Sequence, residues 1–425
     1  MVDLRCEIGG VTSPNPFWLA SAPPTDKEYN VVRAFKAGWG GAVWKTLGED
    51  PPIVNVASRY GALSYNGTRM MGFNNIELIT DRPLDVNLRE IKQVKRDWPD
   101  RALIVSLMVP CEEANWTAIL DAVEDTEADG VELNFGCPHG MSERGMGSAV
   151  GQVPEYIEMV TRWCKAHTAM PVFVKLTPNV TSILGPARAA KAGGADAVSL
   201  INTVNSIMSV DLDVMAPTPV VGTKGSHGGY CGPAVKPMAL FMVGEIARDS
   251  ESAGLPISAI GGIATWHDAA EFLALGAGSL QVCTAVMHKG FKIVDDMIDG
   301  LANWMADKGH QCLDDFRGAA VPNVTDWQYL DMNYEIVARI DQDLCIKCGL
   351  CHISCEDTAH QAVAKLRQDG ERRYEVIDAE CVGCNLCMHV CPVEGCITMV
   401  QVDNGKAYMN WTQDPRNPMN QGAAE

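Results

Sequence analysis

The sequence predicts a (β/α)8 barrel over residues 1–310, followed by a small α+β domain. Eight short apolar, β-branched runs occur before residue 310, and amphipathic stretches with helical periodicity separate most of them. Apolar strands that alternate with such helices are typical of buried parallel strands in βα units, and the length suits a barrel. The second observation is a concentration of cysteines after residue 340. An open doubly wound sheet is the alternative for the first domain.

The eight predicted strands span residues 17–22, 42–46, 102–108, 130–135, 172–177, 197–203, 257–263 and 279–286. Helical periodicity is clearest in residues 83–98, 115–128, 154–167 and 266–277. The connections 47–80 and 204–233 are too long for simple turns, and both follow strand C-termini, where barrel enzymes build their sites. We therefore expect two binding loops there, with surface insertions as the alternative.

Composition limits the classes of partner. The 425 residues carry a formal net charge of −19, which makes nucleic acid a poor partner, since phosphate binding requires clustered Lys and Arg. No apolar run is long enough to span a bilayer, and the N-terminus has no apolar secretory segment. We therefore expect a cytoplasmic protein without a membrane partner, in which the sixteen cysteines serve metal binding and catalysis rather than disulfides.

Beyond the barrel, the expected organisation has three parts. Residues 311–335 are predicted to be a linker, and residues 336–402 the cysteine-rich domain. The tail, 403–425, is rich in Asn, Gln, Pro and Gly, so we expect it to be extended or poorly ordered.

Two cysteine runs share the spacing C-x2-C-x2-C-x3-C. They are CIKCGLCHISC at 345–355 and CVGCNLCMHVC at 381–391. This is the spacing of bacterial two-cluster ferredoxins, in which three cysteines of one run and the fourth of the other hold each [4Fe–4S] cube. We therefore predict one cluster on Cys345, Cys348, Cys351 and Cys391, and the other on Cys381, Cys384, Cys387 and Cys355. Structural zinc is the alternative, although it rarely uses this doubled spacing.

A module of this kind carries single electrons, so the barrel is expected to hold a cofactor that exchanges one electron with clusters and two with substrate. A flavin does both. The sequence contains no G-x-G-x-x-G, so we expect no nicotinamide-binding domain in this chain. Reducing equivalents would then enter from another polypeptide through the clusters.

A phosphate site is expected after the last two predicted strands. Gly261 and Gly262 follow the seventh strand, and Cys283 and Thr284 lie at the eighth. The loops after strands seven and eight of barrel enzymes bind phosphate through backbone N–H groups, and glycine permits close backbone approach. A glycine pair taken alone is a weak indication, because most such pairs are turns.

Two lysines lie within predicted strands, Lys45 in VWKTL and Lys175 in VKLTPN. A lysine inside a barrel requires a partner, and reduced flavin carries negative charge near N1 and O2. The alternative is a lysine at a strand end that reaches solvent. Ser21, at the end of the first strand, is either a donor to the flavin ring or an ordinary turn serine.

Over nearly the whole chain, an ordered set of stretches resembles the catalytic subunits of bacterial NAD-dependent dihydropyrimidine dehydrogenases. The stretches are LASAPPT, WKT, FNNIEL, NFGCPHGMSERGMG, VKLTPN, INTVN, CGPAVKP, GGI and QVCTA, followed by the two cysteine runs. The resemblance implies an FMN barrel related to dihydroorotate dehydrogenases, fused to a ferredoxin-like domain. It implies FMN contacts at Ser21, Lys45, Thr46, Lys175, Gly232, Gly261, Gly262, Ile263, Cys283 and Thr284.

The resemblance also implies a reaction and a partner. Uracil or thymine would be reduced to the 5,6-dihydropyrimidine in pyrimidine degradation, with hydride from FMN to C6 and a proton from Cys137 to C5. An FAD- and NAD-binding flavoprotein subunit would supply the electrons. The implied substrate contacts are Asn75, Asn134, Phe135, Gly136, Asn202 and Thr203. Where many relatives have serine before the active cysteine, this chain has Gly136, so only a backbone contact is expected there.

The residue chemistry agrees with this interpretation. Uracil is a neutral planar imide, which asparagine amides and a threonine hydroxyl can match. Cys137 follows a strand at its C-terminus, and a thiol there is a suitable general acid; a buried spectator is the alternative. The remaining cysteines are expected to pack: Cys6, Cys111, Cys164, Cys231, Cys312 and Cys396.

Two other functions remain open. One is a dihydroorotate dehydrogenase-like flavin oxidoreductase, which would need a cation for the substrate carboxylate, such as Arg144. The other is an electron carrier in which the barrel is only a scaffold.

Overall fold

The computed structural model describes residues 2–48, 52, 54–65, 69–137, 145–368 and 370–420. The chain forms two compact units, Met1–Val324 and Thr325–Glu425. The division falls inside the segment 311–335 that the sequence predicts as a linker. Residues before the division belong to the first unit, since Leu313 and Phe316 are buried in its main hydrophobic core.

The first unit is a closed barrel of eight parallel strands, as predicted, and not an open sheet. Barrel strands 1 to 8 are Phe17–Leu19, Gly41–Leu47, Ala102–Leu107, Gly130–Asn134, Val172–Lys175, Ala197–Leu200, Ile257–Ile260 and Ser279–Val282. Strand 8 closes the barrel by pairing with strand 1, Leu280 opposite Phe17. Every residue of strands 2 to 8 is buried, which explains the continuous apolar runs of the sequence.

Several predicted strands extend too far at their C-terminal ends. The predicted strand 279–286 ends at Val282, and a short helix, Thr284–Lys289, follows it. Likewise, the strand predicted to reach residue 203 ends at Leu200. The residues between the observed and the predicted strand ends lie at the C-terminal mouth of the barrel, where ligands bind in this fold.

Helices surround the barrel. Those between or after the strands are Glu28–Ala37, Leu84–Asp97, Glu113–Glu124, Ser148–Gly151, Pro154–His167, Leu184–Ala192, Lys236–Arg248, Trp266–Ala274 and Ile293–Lys308. The four helices predicted from periodicity are among them. Helix Pro154–His167 starts with proline, whose missing N–H has no partner at that position anyway, and it buries Ile157, Val160 and Cys164. Shorter 3-10 turns are Pro23–Thr25, Pro233–Val235, Leu313–Asp315, Val321–Asn323, Trp327–Tyr329, Asp378–Glu380 and Pro418–Asn420.

A hairpin that the sequence did not predict covers the N-terminal end of the barrel. Its strands are Cys6–Ile8 and Val11–Ser13. Ile8 and Val11 form a small separate core with Trp18 and Phe173 near the starts of the barrel strands. This end of the barrel is therefore filled with apolar side chains.

The two long connections pair with each other over the opposite end. They form a four-stranded antiparallel sheet in the order Val204–Ser206, Gly228–Cys231, Arg69–Asn75 and Tyr60–Tyr65. Gly229 lies opposite Asn75 in its ladder, so the connection after strand 2 is tied to the one after strand 6. We call this sheet the cap sheet. Two minor hairpins extend the second connection: Val210–Asp211 with Ala216–Pro217, and Val220–Val221 with Lys224–Gly225.

The second unit consists of two antiparallel strand pairs and two short helices. Strand Ile336–Ile340 pairs with Ile397–Gln401, and Val363–Gln368 pairs with Glu371–Val376. The helices are Leu350–Glu356 and Leu386–Val390. Its core is small: Ala338, Cys351, Val363, Tyr374, Cys387, Cys396 and Ile397 are its buried members.

The described part of the C-terminal tail, residues 403–420, packs against the start of the second unit. The Met332 amide donates to the Met409 carbonyl at 2.8 Å, and the Trp411 amide donates to the Gln328 carbonyl at 3.1 Å. Asparagine side chains account for much of this packing, since Asn404 donates to the Asn333 carbonyl at 2.9 Å. In the described part of the chain, no helix is both long and apolar enough to cross a membrane.

Candidate active site and cysteine cages

A deep cleft opens at the C-terminal ends of the barrel strands. The ends of strands 1, 2, 4, 5, 6, 7 and 8 line it, together with residues of the cap sheet. Its volume, including the open mouth, is about 1340 Å³. A cleft in this position is where barrel enzymes of this architecture bind their ligands.

Most predicted binding residues meet in this cleft. Its lining includes Ser21, Lys45, Thr46, Asn75, Asn134, Cys137, Lys175, Asn202, Thr203, Gly232, Gly261, Gly262, Ile263, Cys283 and Thr284. Phe135 and Gly136 are not in the lining. The substrate contacts predicted for these two residues therefore stay predictions.

Phe135 faces the hydrophobic core instead of the cleft. Its side chain is fully buried and packs edge-on against Trp116, with 5.9 Å between ring centroids. The reason is its place directly after strand 4, since side chains alternate along a strand and Asn134 faces the cleft. Gly136 contributes by its small size. A Cβ there would lie 2.5 Å from the Cβ of Asn202, so glycine allows the two segments to approach.

One wall of the cleft is a connected row of amides and hydroxyls. Asn134 Nδ2 donates to Thr46 Oγ1 at 3.0 Å, and Asn202 Nδ2 donates to Asn134 Oδ1 at 3.2 Å. The Thr203 amide then donates to Asn202 Oδ1 at 2.7 Å. Thr46 Oγ1 also lies 3.1 Å from Ser21 Oγ. These bonds fix the amide orientations, so the wall presents defined donors and acceptors.

The cap sheet supplies an asparagine of its own. Asn75 ends strand Arg69–Asn75, and its Nδ2 donates to the Gly229 carbonyl at 3.2 Å. Its Oδ1 accepts from the Glu77 amide at 3.2 Å. Asn75 is thus held by both long connections, and the cap sheet is part of the site and not only a cover.

Lys45 is paired with carboxylates. Its Nζ donates to Glu77 Oε1 at 2.7 Å and lies 3.9 Å from Asp26. Arg59 and Tyr60 also hold Glu77, at 3.1 and 3.2 Å. Burial raises the pKa of the Asp26 carboxyl, against the opposing effect of Lys45. The sequence analysis predicted no role for Glu77, although it is the one acidic residue in the stretch FNNIEL.

Lys175 has a buried partner of its own. Its Nζ lies 3.3 Å from Glu132 Oε1, an ion pair whose oxygen makes no hydrogen bond within the described residues. Glu132 is fully buried inside the barrel, where Ser199 and Gln281 donate to its other oxygen at 2.6 and 3.1 Å. The sequence reading missed this residue too. An acid in the middle of the apolar strand GVELN was the indication.

Three glycines meet where a phosphate is expected. Gly232, Gly261 and Gly262 all have positive φ, at 85°, 134° and 76°. A Cβ on Gly262 would lie 3.0 Å from the Gly232 carbonyl oxygen and 2.7 Å from the Cβ of Lys236. Only glycine fits this close approach, which leaves backbone N–H groups free of side-chain cover, as phosphate sites require.

Cys137 lies on the cleft wall at the end of strand 4. Its side chain is 7% exposed and packs with Ile79, Met108 and Met146. Its carbonyl accepts from the Ser148 amide at 3.1 Å, which anchors the far side of the loop. Residues 138–144, among them Arg144, lie outside the described residues.

Cys283 is a second thiol in the cleft. Burial raises its pKa to about 12, and the neighbouring Cys231 also acts to raise it. Burial likewise raises the pKa of Cys231. Both thiols are therefore neutral at physiological pH and cannot act as thiolate nucleophiles there.

The second unit contains two small cavities lined by cysteines, which we call cage 1 and cage 2. Cage 1 is lined by Cys345, Cys348, Cys351 and Cys391, and also by Cys396. Cage 2 is lined by Cys355, Cys381, Cys384 and Cys387. Each cage thus brings together three cysteines of one run and the fourth of the other. None of the sixteen cysteines forms a disulfide.

Cysteine thiolates bind both zinc and iron–sulfur clusters, and the two differ in how far apart they hold their ligands. A zinc ion needs its ligands within about 2.3 Å of one point, whereas a [4Fe–4S] cube spreads four thiolates over its corners. Among the described residues, no three His, Cys, Asp or Glu side chains are close enough to hold a single metal ion. In cage 2 the Ala362 amide donates to Cys355 Sγ at 3.2 Å, an N–H···S bond of the kind that supports cluster thiolates.

Comparison with known families gives the same division. The model of the family described as dihydroorotate dehydrogenase matches residues 3–305. The chain belongs to the dihydroorotate dehydrogenase family. A second model, described as a 4Fe-4S dicluster domain, matches residues 338–399, so this family member carries an iron–sulfur domain after its barrel.

Two relatives that match most of the chain are named dihydropyrimidine dehydrogenases. The chain is 42% identical to the NAD-dependent dihydropyrimidine dehydrogenase subunit PreA of Escherichia coli (strain K12), over 94% of this chain and 96% of the relative. It is 39% identical to the chloroplastic dihydropyrimidine dehydrogenase (NADP(+)) of Arabidopsis thaliana, over 79% of this chain and 80% of that protein. The resemblance noted from the sequence is confirmed. These relatives are oxidoreductases, and PreA is named as a subunit.

Two further likenesses concern the barrel. The dihydroorotate dehydrogenase B (NAD(+)) catalytic subunit of Pyrococcus abyssi is 36% identical, over 75% of this chain and 99% of that protein. A crystal structure of DHODH from Eimeria tenella with ferulenol has a TM-score of 0.62 and 20% identity, and covers 74% of this chain and 88% of the other. The structural likeness supports the fold alone.

Proposed function

We propose that the chain is the catalytic subunit of a dihydropyrimidine dehydrogenase that reduces uracil and thymine to 5,6-dihydropyrimidines in pyrimidine degradation. The observation that carries the proposal is the oriented row Thr46–Asn134–Asn202–Thr203, which shares one cleft with Asn75 and Cys137. The names of the relatives at 42% and 39% identity support the same reaction class.

The amide row suits a neutral imide. Uracil alternates N–H donors with carbonyl acceptors along one edge, and each asparagine offers one acceptor and two donors. Because Asn134 and Asn202 are already hydrogen-bonded to each other, they cannot rotate without losing that bond. A site built this way selects against rings that lack the matching N–H and C=O groups, since its own buried groups would be left unpaired.

Within the described part of the cleft, the charges favour uracil over dihydroorotate, the second candidate. A substrate carboxylate would need a cation that is available to it. Among the described residues, both deep lysines have carboxylate partners, Lys45 with Glu77 and Lys175 with Glu132, while Lys289 is exposed. Glu77, also in the lining, would repel a second carboxylate.

The same cleft has the features needed to hold FMN. We propose that the glycine cradle and Thr284 bind the phosphate, and that Lys45, Lys175 and Ser21 contact the ring. Gln281 lines the cleft and is buried, and its Oε1 has no hydrogen-bond partner within the described residues, so it fits a ligand that offers a donor. When bound, FMN supplies two-electron chemistry to the substrate and accepts single electrons.

Cys137 is proposed as the general acid that delivers the proton to C5. It is placed on the wall of the cleft with Asn134, three residues earlier. An unperturbed thiol is protonated at neutral pH, as a general acid must be, and this one is 7% exposed. Ile79, Met108 and Met146 surround it with apolar groups and limit access of water to the proton.

Electrons are proposed to enter through two [4Fe–4S] clusters, one in each cage. The ligand sets would be Cys345, Cys348, Cys351 and Cys391, and Cys381, Cys384, Cys387 and Cys355. The donor would be an FAD- and NAD-binding flavoprotein subunit in a hetero-oligomer, so NAD would act only through that partner. A cytoplasmic location is part of the proposal, supported by sixteen cysteines without a disulfide.

Anaerobic purification followed by analysis of iron, sulfide and flavin tests this proposal. We expect about eight irons and one FMN per chain. Dithionite should then support reduction of uracil, while NADH alone should not until a flavoprotein partner is added. Dihydroorotate, assayed in parallel with an artificial acceptor, should be a poor substrate.

Each alternative function gives a different result. Full cluster content without bound FMN or pyrimidine would indicate an electron carrier with a barrel scaffold. Preferred turnover of dihydroorotate would indicate the second candidate. Zinc in place of iron, or NADH-dependent turnover by the isolated chain, would contradict the proposed electron path.

A further inference from the structure

Cage 1 contains one more cysteine than a [4Fe–4S] cluster needs. Cys396 lines the cavity beside Cys345, Cys348, Cys351 and Cys391, and its side chain is 2% exposed. In cage 2, by contrast, the four expected ligands are the only cysteines among the described lining residues. The sequence reading assigned Cys396 to packing, so its place in the cage is a finding of the structure.

The backbone holds Cys396 firmly in this place. Its amide donates to the Val393 carbonyl at 3.3 Å, and its carbonyl accepts from the Asp341 amide at 2.8 Å. It immediately precedes strand Ile397–Gln401, which pairs along its whole length with Ile336–Ile340. The thiol lies 3.7 Å from the Asp341 carbonyl and interacts with the thiols of Cys391 and Cys345, so among the described residues its oxygen contact is a long one.

The stoichiometry of the cube decides what a fifth thiol can do. Four irons take one cysteine each, so Cys396 has no iron left to bind and keeps its S–H. The acceptors near it are the sulfur atoms of the cluster and of its ligands, which become more electron-rich on reduction.

We propose that the Cys396 thiol donates a hydrogen bond to a sulfur of the cluster in cage 1 and thereby raises the reduction potential of that cluster. A donor near the sulfurs stabilises the reduced state, which carries one more negative charge, more than the oxidised state. This inference rests on the two clusters of the proposed function.

The test is a redox titration of the full chain with Cys396→Ala, followed by electron paramagnetic resonance. Iron and sulfide are measured first, and we expect about eight irons in both the native and the variant chain. One of the two cluster potentials should then shift to a lower value, while the other stays unchanged. Cys396→Ser keeps a donor at the same place and should give a potential between the two.

Cys164→Ala is the matched control, since Cys164 is a buried cysteine of the barrel unit and its loss should move neither potential. Two unchanged potentials in Cys396→Ala with full iron content would overturn the inference. Loss of about four irons in both Cys396 variants would also overturn it, because Cys396 would then be a ligand. A native chain with far fewer than about eight irons would instead contradict the proposed clusters.

Discussion

The two units of the chain build their sites in opposite ways. The cages of the second unit use cysteines from two short stretches, 345–355 and 381–391. The cleft of the barrel unit uses side chains from Ser21 to Lys289, brought together by seven strand ends and the cap sheet. A set of cysteines with a fixed local spacing can be predicted from the sequence alone. A site formed by residues that are far apart in sequence depends on the fold that brings them together.

The units also differ in what stabilises them. The barrel unit has an extensive core of buried apolar side chains around every strand. The core of the second unit has only seven buried members among the described residues, and three of these are cysteines. Small domains with such cores usually depend on metal or disulfides for stability. We therefore expect cluster binding to be a folding requirement in one unit only.

Removal of iron should have the largest effect on the chain. A strong chelator under reducing conditions should unfold residues 336–402, because the clusters that hold the four cysteines of each cage together would be lost. Hydrogen exchange read by mass spectrometry should show lost protection in the pair Ile336–Ile340 and Ile397–Gln401. Strands of the barrel should stay protected. Retained protection in the second unit would mean that its apolar core stabilises it without the clusters. The two units would then not differ in their need for iron.

Cys137→Ala should have the next largest effect. The variant should keep FMN, both clusters and the affinity for uracil, because the thiol is assigned to proton delivery and not to binding. Its turnover should fall by roughly 10² to 10⁴, the usual contribution of a positioned general acid. Turnover is measured with dithionite as donor, so that the partner is not needed. Near-native turnover would make Cys137 a spectator.

Cys137→Ser sharpens that test through pH. Its hydroxyl is a far weaker acid, so turnover should be low and should not recover as pH falls, since the group is already protonated. The native chain should lose activity in the alkaline range where thiols ionise, about pH 8.5 in unperturbed peptides, because a thiolate has no proton to give. Parallel pH profiles for both chains would contradict the assignment.

Sequence reasoning recovered each site to a different degree. The predicted ligand sets came from spacing alone, and the structure brings the cysteines of each set together in one cage. In the barrel, residues at strand ends were found, because a closed barrel brings them to one mouth. Their ion partners were not found. Glu132 and Glu77 lie on other segments than Lys175 and Lys45, and only the folded chain makes them neighbours.

Other differences have the same origin. The cap sheet could not be predicted because its strands, such as Arg69–Asn75 and Gly228–Cys231, pair across a separation of about 154 residues. The direction of the Phe135 side chain, which packs on Trp116, could not be predicted because a carried-over motif gives no side-chain direction. Cys396 packs in the core of the second unit as predicted, but its place in the lining of cage 1 could not be predicted, because its position after Cys391 matches no spacing rule.

Lys175→Ala should produce an intermediate effect with two separable parts. Loss of the charge beside the flavin should weaken FMN retention or lower the flavin potential, with clusters intact. It also leaves Glu132 buried without its ion partner, which should cost about 3–5 kcal/mol of barrel stability. Stability is measured by denaturant unfolding of the barrel, and flavin retention by absorbance after gel filtration.

The double variant Lys175→Met, Glu132→Gln separates the two parts. Removal of both charges should restore most of the lost stability, because no uncompensated charge remains in the barrel. It should not restore FMN retention or potential, if Lys175 contacts the flavin. Recovery of both properties together would show that Lys175 only neutralises Glu132.

Phe135→Leu should have the smallest effect and tests the direction of a single side chain. Phe135 packs on Trp116 in the core, so a leucine should lower stability by roughly 1 kcal/mol and leave KM for uracil unchanged. Asn134→Ala, one residue earlier, removes the bonds to Thr46 and Asn202 in the cleft and should raise KM about tenfold or more. Because neighbours on a strand face opposite sides, the two variants should separate stability from binding. An increased KM in Phe135→Leu of the size seen in Asn134→Ala would place the phenyl ring at the substrate after all.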